Sequence, residues 1–173
     1  MVNTDSSITY HVFDRFLWVR CANRGSFVNS SILKSIADQY VDDGGRCVVV
    51  DLEICAGVDS TFMGTMAGIA RRLMPLGGSL QVATPSERSR AALESLGLDA
   101  LMEIDPPTAP WRGHLDELRA ELHSSDIPMD MPDLDRTKHV LDAHNTLSDI
   151  SPENAEQFKY VRESLEEEIK RKS

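Results

Sequence analysis

Residues 48–69 read Val-Val-Val-Asp-Leu-Glu-Ile-Cys-Ala-Gly-Val-Asp-Ser-Thr-Phe-Met-Gly-Thr-Met-Ala-Gly-Ile (VVVDLEICAGVDSTFMGTMAGI). The run from Cys47 to Val50 is continuously apolar, the pattern of a strand covered on both faces of an α/β sheet. After a short loop, Asp59-Ser60-Thr61 supplies side-chain oxygens that can cap a helix start. Met63, Met66, Ala67, Ala70 and Leu73 then share one side of that helix, and Pro75 to Gly78 ends it. The helix nevertheless keeps Gly64 and Gly68 in its interior, each at a cost of about 1 kcal/mol relative to alanine. A plain connection needs the cap but not the glycines. The pattern therefore asks for a hydroxyl, a carboxylate and an approachable backbone at one helix start. Such a hydroxyl sits where free N–H groups and the helix dipole would receive a phosphate.

On the amino-terminal side, Ile8–Phe13 and Phe16–Cys21 are β-rich runs joined by Asp14-Arg15, as in a hairpin. Asn23 to Ser26 reads as a loop, and Ser30 or Ser31 as the cap of a helix ending at Asp42 to Gly45. On the other side, Ser79–Ala83 is a strand, and Pro85 suits the first turn of a helix closing at Gly97. Leu98 to Ile104 reads as a turn and a short last strand. This alternation predicts an α/β fold, a central sheet flanked by helices.

Asp105-Pro-Pro-Thr-Ala-Pro110 breaks the alternation and sets the expected boundary, with one domain over residues 1–112 and a helical extension over 113–173. Within the extension, His114–His123 reads as a short helix and Ser124–Pro132 as a linker. Helices over Leu134–Leu147 and Pro152–Arg171 follow, with Ser151 as N-cap and Pro152 at the first helical position. Their apolar stripes, Leu134, Val140, Leu141 and Leu147 against Phe158, Val161, Leu165 and Ile169, suit an antiparallel hairpin. A lone hairpin cannot bury both stripes, so it is expected to support homodimer formation or partner docking and to be dispensable for folding of residues 1–112.

The composition narrows the function. At 41% hydrophobic and 27% charged residues, the chain reads as globular and soluble. Its net charge of −10 disfavours a nucleic-acid partner held by phosphate neutralisation. Cys21, Cys47 and Cys55 lack C-x-x-C or Cys/His spacing, so they read as small buried hydrophobes rather than zinc ligands or a disulfide framework. The start, MVNTDSSITYHVF, is not a signal peptide, and no apolar run is long enough to span a membrane. A cytoplasmic protein without cofactor or metal is expected. His139 and His144, five residues apart on one helix, have poor geometry for a shared metal and read as solvated helix charges. Asp51 and Glu53 read as strand-end caps or as flanks of a partner-facing loop. No catalytic trio can be placed, and an enzyme is not expected.

From about Ile8 to Ile104 the chain resembles the STAS domain of anti-sigma-factor antagonists, small proteins of bacterial partner-switching cascades. The resemblance is carried by Val50-Asp51-Leu52, Asp59-Ser60-Thr61, Gly64, Gly77-Gly78-Ser79-Leu80-Gln81-Val82, Pro85-Ser86 and Leu96-Gly97-Leu98-Asp99. It implies a mixed β-sheet with helices mainly on one face. The family's motif reads Asp-Ser-Ser/Thr-Gly-Leu-Gly, and its first hydroxyl after the aspartate is phosphorylated by the anti-sigma-factor kinase. Carried across, the phosphoacceptor is Ser60, with Thr61 as second choice. The implied partners are an anti-sigma factor/serine kinase and a PP2C-like phosphatase. The expected partner-binding residues are Arg24, Asp59, Ser60, Thr61, Phe62 and Gly64, on the helix start and the neighbouring 23–29 loop.

The chain departs from the motif at Phe62, where the family has glycine. Phe62 would anchor a partner, block a kinase, or turn inward to fill the core. Two other readings stand beside the switch: a non-phosphorylated STAS scaffold in a transporter or sensory complex, which Phe62 favours, and a small-molecule or nucleotide-binding module at the strand ends.

Overall fold

The computed structural model describes residues 7–128 and 131–173. The amino-terminal reading over residues 1–6 and the linker positions Met129 and Asp130 lie outside the described residues. The expected hairpin forms from β1 (Ile8–Val12) and β2 (Leu17–Cys21), antiparallel with Ile8 opposite Cys21 and Val12 opposite Leu17. β4 (Cys47–Asp51) pairs parallel to β2, β6 (Ser79–Ala83) parallel to β4, and β7 (Glu103–Ile104) parallel to β6. β8 (His123–Ser124) adds antiparallel to β1, giving a six-stranded mixed sheet in the order β7-β6-β4-β2-β1-β8.

Two further strands lie where the sequence reads as loop. β3 (Asn23–Gly25) pairs parallel with β5 (Cys55–Val58), placing Arg24 opposite Gly57. Both are short and rich in small residues, so neither shows the alternation that marks a half-buried strand.

Alternation along the long strands sorts the core. Leu17, Val19, Val48, Val50, Leu80 and Val82 point to the face covered by α1 (Ser30–Asp42), α2 (Ser60–Leu73) and α3 (Glu87–Ser95). Pro85 stands outside α3, whose cap is Ser86 accepting from the Ser89 amide, so the proline precedes the cap rather than occupying the first turn. At α1 the N-cap is Asn29 rather than a serine, and its side chain braces the preceding loop by accepting from Ser26 N and donating to the Arg24 carbonyl.

Trp18, Val49 and Ala83 point to the opposite face, where Ala109 and Trp111 bury against them. The Pro-rich stretch after β7 is therefore packed chain. Trp111 donates its indole N–H to Gln81 across 2.8 Å, and its ring meets Trp18 edge-on at 5.3 Å. The sheet's packing also runs past Arg112. Arg119 of α4 (Leu115–Ala120) donates to both oxygens of the fully buried Asp51, at 2.8 and 3.1 Å, and to Glu53 at 2.8 Å. Trp18 donates a further bond to Asp51 at 3.1 Å. Asp51 and Glu53 thus hold the polypeptide that covers the second face.

The chain ends in α5 (Asp133–Ile150), α6 (Pro152–Gln157) and α7 (Lys159–Lys172). Ser151 caps α6 by accepting from the Asn154 amide, with Pro152 at the first position. The helix expected over Pro152–Arg171 breaks at Phe158, which is buried. α5 lies along α2 as a third layer, outside α1 and α2 as seen from the sheet.

Candidate helix-start switch site

Asp59 is the N-cap of α2, in extended conformation at φ −91° and ψ 174°. One carboxylate oxygen accepts from the Phe62 amide at 2.8 Å and the other from the Phe27 amide at 2.9 Å. The Asp59 amide in turn donates to the Gly25 carbonyl at 2.8 Å. One residue therefore satisfies an otherwise free helix amide and ties the 23–29 loop to the helix start. Arg24 is exposed on that loop and shares a shallow cleft of about 260 Å³ with Gly57, Val58 and Arg88.

Ser60 opens α2 and is half-buried. Its Oγ lies 2.9 Å from Nε2 of His144 on α5. His144 Nδ1 lies 2.7 Å from the Val140 carbonyl, which can only accept, so Nδ1 carries the proton of the neutral ring. Nε2 is then left to accept the Ser60 hydroxyl proton. The His144 ring is buried at 4% exposure and packs edge-on to Phe158 at 5.2 Å.

A second pair repeats the arrangement one helix over. Ser30, at the start of α1, lies 2.8 Å from His139 Nε2. Burial holds the His139 imidazole below its usual pKa and the Lys34 cation adds to that, against smaller upward pulls from Asp142 and Asp59. Each histidine faces its own serine, so the reading of both as solvated helix charges is corrected: both are buried. The sequence carried no signal of this, because the serines stand 84 and 109 residues away.

Phe62 is fully buried beneath Gly25, where a Cβ would come within 2.8 Å of its ring, so the phenylalanine fills the core. Thr61 is buried at 4% exposure, and its carbonyl accepts from the Thr65 hydroxyl at 2.8 Å. Gly64 faces α5, and a Cβ there would collide with the Ala143 carbonyl. Gly68 meets nothing within 4 Å. The structure therefore places Asp59 and Ser60 at the α2 start, sets Arg24 on the neighbouring strand opposite Gly57 in a cleft with Arg88, and turns Thr61, Phe62 and Gly64 inward.

The other sequence-flagged groups lie apart from this site. The buried Cys21 and Cys55 thiols donate to the Arg24 carbonyl at 3.3 Å and the Gly57 carbonyl at 3.2 Å, and their mutual interaction pushes Cys21 up and brings Cys55 down to about 7. Burial also raises the Cys47 thiol. Among the described residues no helix is long and apolar enough to cross a membrane.

A mixed sheet with three helices on one face and a capped, hydroxyl-bearing helix start at its end is a STAS-like fold. The family model for the STAS domain matches residues 7–110, and the chain belongs to that family. Comparison with the curated proteins gives no match. Among solved structures the chain is similar to an anti-sigma factor antagonist from Mycobacterium paratuberculosis, at 18% identity and TM-score 0.54 over 68% of this chain and 97% of that one. It is similar to the anti-sigma factor antagonist SpoIIAA in its unphosphorylated form, at 16% identity and TM-score 0.53 over 68% and 100%. The phosphorylated form of the Bacillus cell fate determinant SpoIIAA gives 16% and TM-score 0.51 over 65% and 100%. At such identities the likeness is one of fold. The family match ends at residue 110, so α5 to α7 lie beyond it.

Proposed function

We propose that this STAS protein is an anti-sigma-factor antagonist-like signalling module that binds an anti-sigma factor/serine kinase and is released by phosphorylation of Ser60. The observation that carries the reading is the position of Ser60 as first residue of α2, beside the Asp59 cap and the exposed Arg24 loop. Of the two adjacent hydroxyls it is the half-buried one, whereas Thr61 is buried. A phosphoserine adds about −1.5 to −2 charge. At the α2 start the dipole tolerates that charge, while across an interface it repels acidic groups and imposes a desolvation cost. A PP2C-like phosphatase would reset the switch. The likeness to solved antagonists, one of them in phosphorylated form, supports the same reading.

The test uses a serine-kinase anti-sigma factor encoded in the same genome and measures its affinity for the full chain before and after phosphorylation. The unmodified chain is expected to bind and the phosphorylated chain to bind at least about tenfold more weakly, a difference of about 1.4 kcal/mol. Equal affinities would overturn the reading. They would favour the non-phosphorylated scaffold, in which the bond to His144 gives the Ser60 hydroxyl a structural task. Self-association through the tail is supported by the exposure of Tyr160 and Val161 on α7, and the solution mass of the full chain tests it.

A further inference from the structure

The side of α2 away from the sheet is shaped to receive a helix. Gly64 lets the partner backbone approach at Ala143, where any Cβ would collide with the carbonyl. Ser60 at one end donates its hydroxyl to a ring nitrogen of the incoming helix, and Ser30 on α1 meets a second ring nitrogen at 2.8 Å. α5 fills this place, yet its own buried face is poorly apolar. Its buried residues are Thr137, which bonds Glu168 of α7, and His139, Ala143, His144, Leu147 and Ser148, and only Leu147 among them is a large aliphatic. A cleft of about 170 Å³ remains along the seam, lined by Gly64, Thr65, Gly68, His139, Asp142 and Ala143.

Helices held by polar contacts and a thin apolar stripe come from the low end of a protein's local stability range. The fixed anchor is at the carboxyl-terminal end of α5, where buried Asn154 of α6 donates to the Leu96 carbonyl and to the Leu147 carbonyl of α5 at 2.9 Å each. The tail therefore has a firm attachment next to α3 and a weakly apolar helix lying over the switch serine.

We propose that the outer face of α2 is a helix-docking surface, held in the free protein by the chain's own α5, and that a partner binds there through an amphipathic helix that takes α5's place. The inference rests on the reading of Ser60 as the switch residue and assigns the surface through which it acts. The incoming helix must carry a small residue where it crosses Gly64, as α5 does with Ala143, and a hydrogen-bonding side chain opposite Ser60, as α5 does with His144. Kinase access to Ser60 and partner binding then both need α5 to leave. Phosphate on Ser60 opposes return of α5 and entry of the partner helix alike, because it adds bulk and charge under the same crossing.

The experiment needs no kinase. Ser60→Cys is treated with iodoacetamide in the full chain, and the label at residue 60 is read by peptide mass, which separates it from the native cysteines. Ala143→Arg, which cannot seat against Gly64, is expected to speed labelling about tenfold or more by opening α5. A fluorescent peptide of residues 132–151 is expected to bind the Ala143→Arg chain and not the wild type. If Ala143→Arg is unfolded by circular dichroism, His139→Ala/His144→Ala removes both polar contacts without adding bulk and carries the same expectations. Equal labelling rates, or a peptide that binds both chains alike or neither, would overturn the proposal. Those outcomes leave Ser60 phosphorylation itself untouched, so the two claims fail separately.

Discussion

The Ser60 hydroxyl and the His144 ring nitrogen Nε2 meet across 2.9 Å, joining the first residue of α2 to a helix 84 residues later in the chain. His144 is buried, and its other nitrogen is committed to the Val140 carbonyl. Removing the hydroxyl therefore strands a buried acceptor.

Ser60→Ala should destabilise the full chain by about 1–3 kcal/mol, the cost of an unsatisfied buried polar group. His144→Phe should remove the acceptor as well as the bond, and the double variant should show a coupling energy of about 0.5–3 kcal/mol in urea unfolding. Additive single effects would mean that the contact holds nothing.

The two interior glycines of α2 should respond oppositely to alanine. Gly64→Ala places a methyl against the Ala143 carbonyl, and overpacking of this kind costs about 1–3 kcal/mol. Gly68→Ala meets open space and should stabilise the helix by up to about 1 kcal/mol through propensity alone. Thermal melts of the two variants test the α5 crossing directly, since loss of α5 should convert Gly64→Ala into a neutral or stabilising change.

Arg119→Leu should cost about 1–3 kcal/mol, because the fully buried Asp51 carboxylate loses its closest cation and keeps only Trp18, the Glu53 amide and Arg20 at 3.7 Å. A chain cut after Arg112 loses the same partner and strand β8, and should be less stable than one cut after Ile127. Equal denaturation midpoints for the two truncations would show that α4 contributes nothing to the sheet.

Acid should loosen α5. The His139 imidazole is held below its usual pKa chiefly by burial, so the folded chain binds that proton less readily than the unfolded chain does. Unfolding then takes up a proton as pH falls below the ordinary imidazole value of about 6.5, and stability declines from there toward the depressed folded value. The groups facing His139 (Ser30, Lys34, Asp142 and Asp59) leave that direction intact. Melting temperatures between about pH 7.5 and pH 5.5 should fall more steeply for wild type than for His139→Gln.

What was legible in the sequence depended on how each element buries itself. β4, α2 and β6 carry long apolar patterns and clear stops, and all three lie where the residues placed them. β3 and β5 carry no alternation and read as loop, although their pairing positions Arg24 beside the helix start. α5 was legible as a helix but not by its buried face. The expected stripe of Leu134, Val140 and Leu141 is only partly covered, and polar and small side chains are buried instead, His144 against α2, His139 against α1 and Thr137 against α7. Gly64 was the residue in the opening stretch that pointed there. It announced a close backbone approach without saying that the approaching backbone belongs to the same chain.

The most direct test of the account is to map phosphate on the full chain after incubation with the cognate anti-sigma-factor kinase and magnesium ATP, using tandem mass spectrometry. The account predicts one phosphate, on Ser60, absent from Ser60→Ala and acquired faster by Ala143→Arg. Phosphate on Thr61 or elsewhere, or none on Ser60 in either the wild-type or the opened chain, would contradict it.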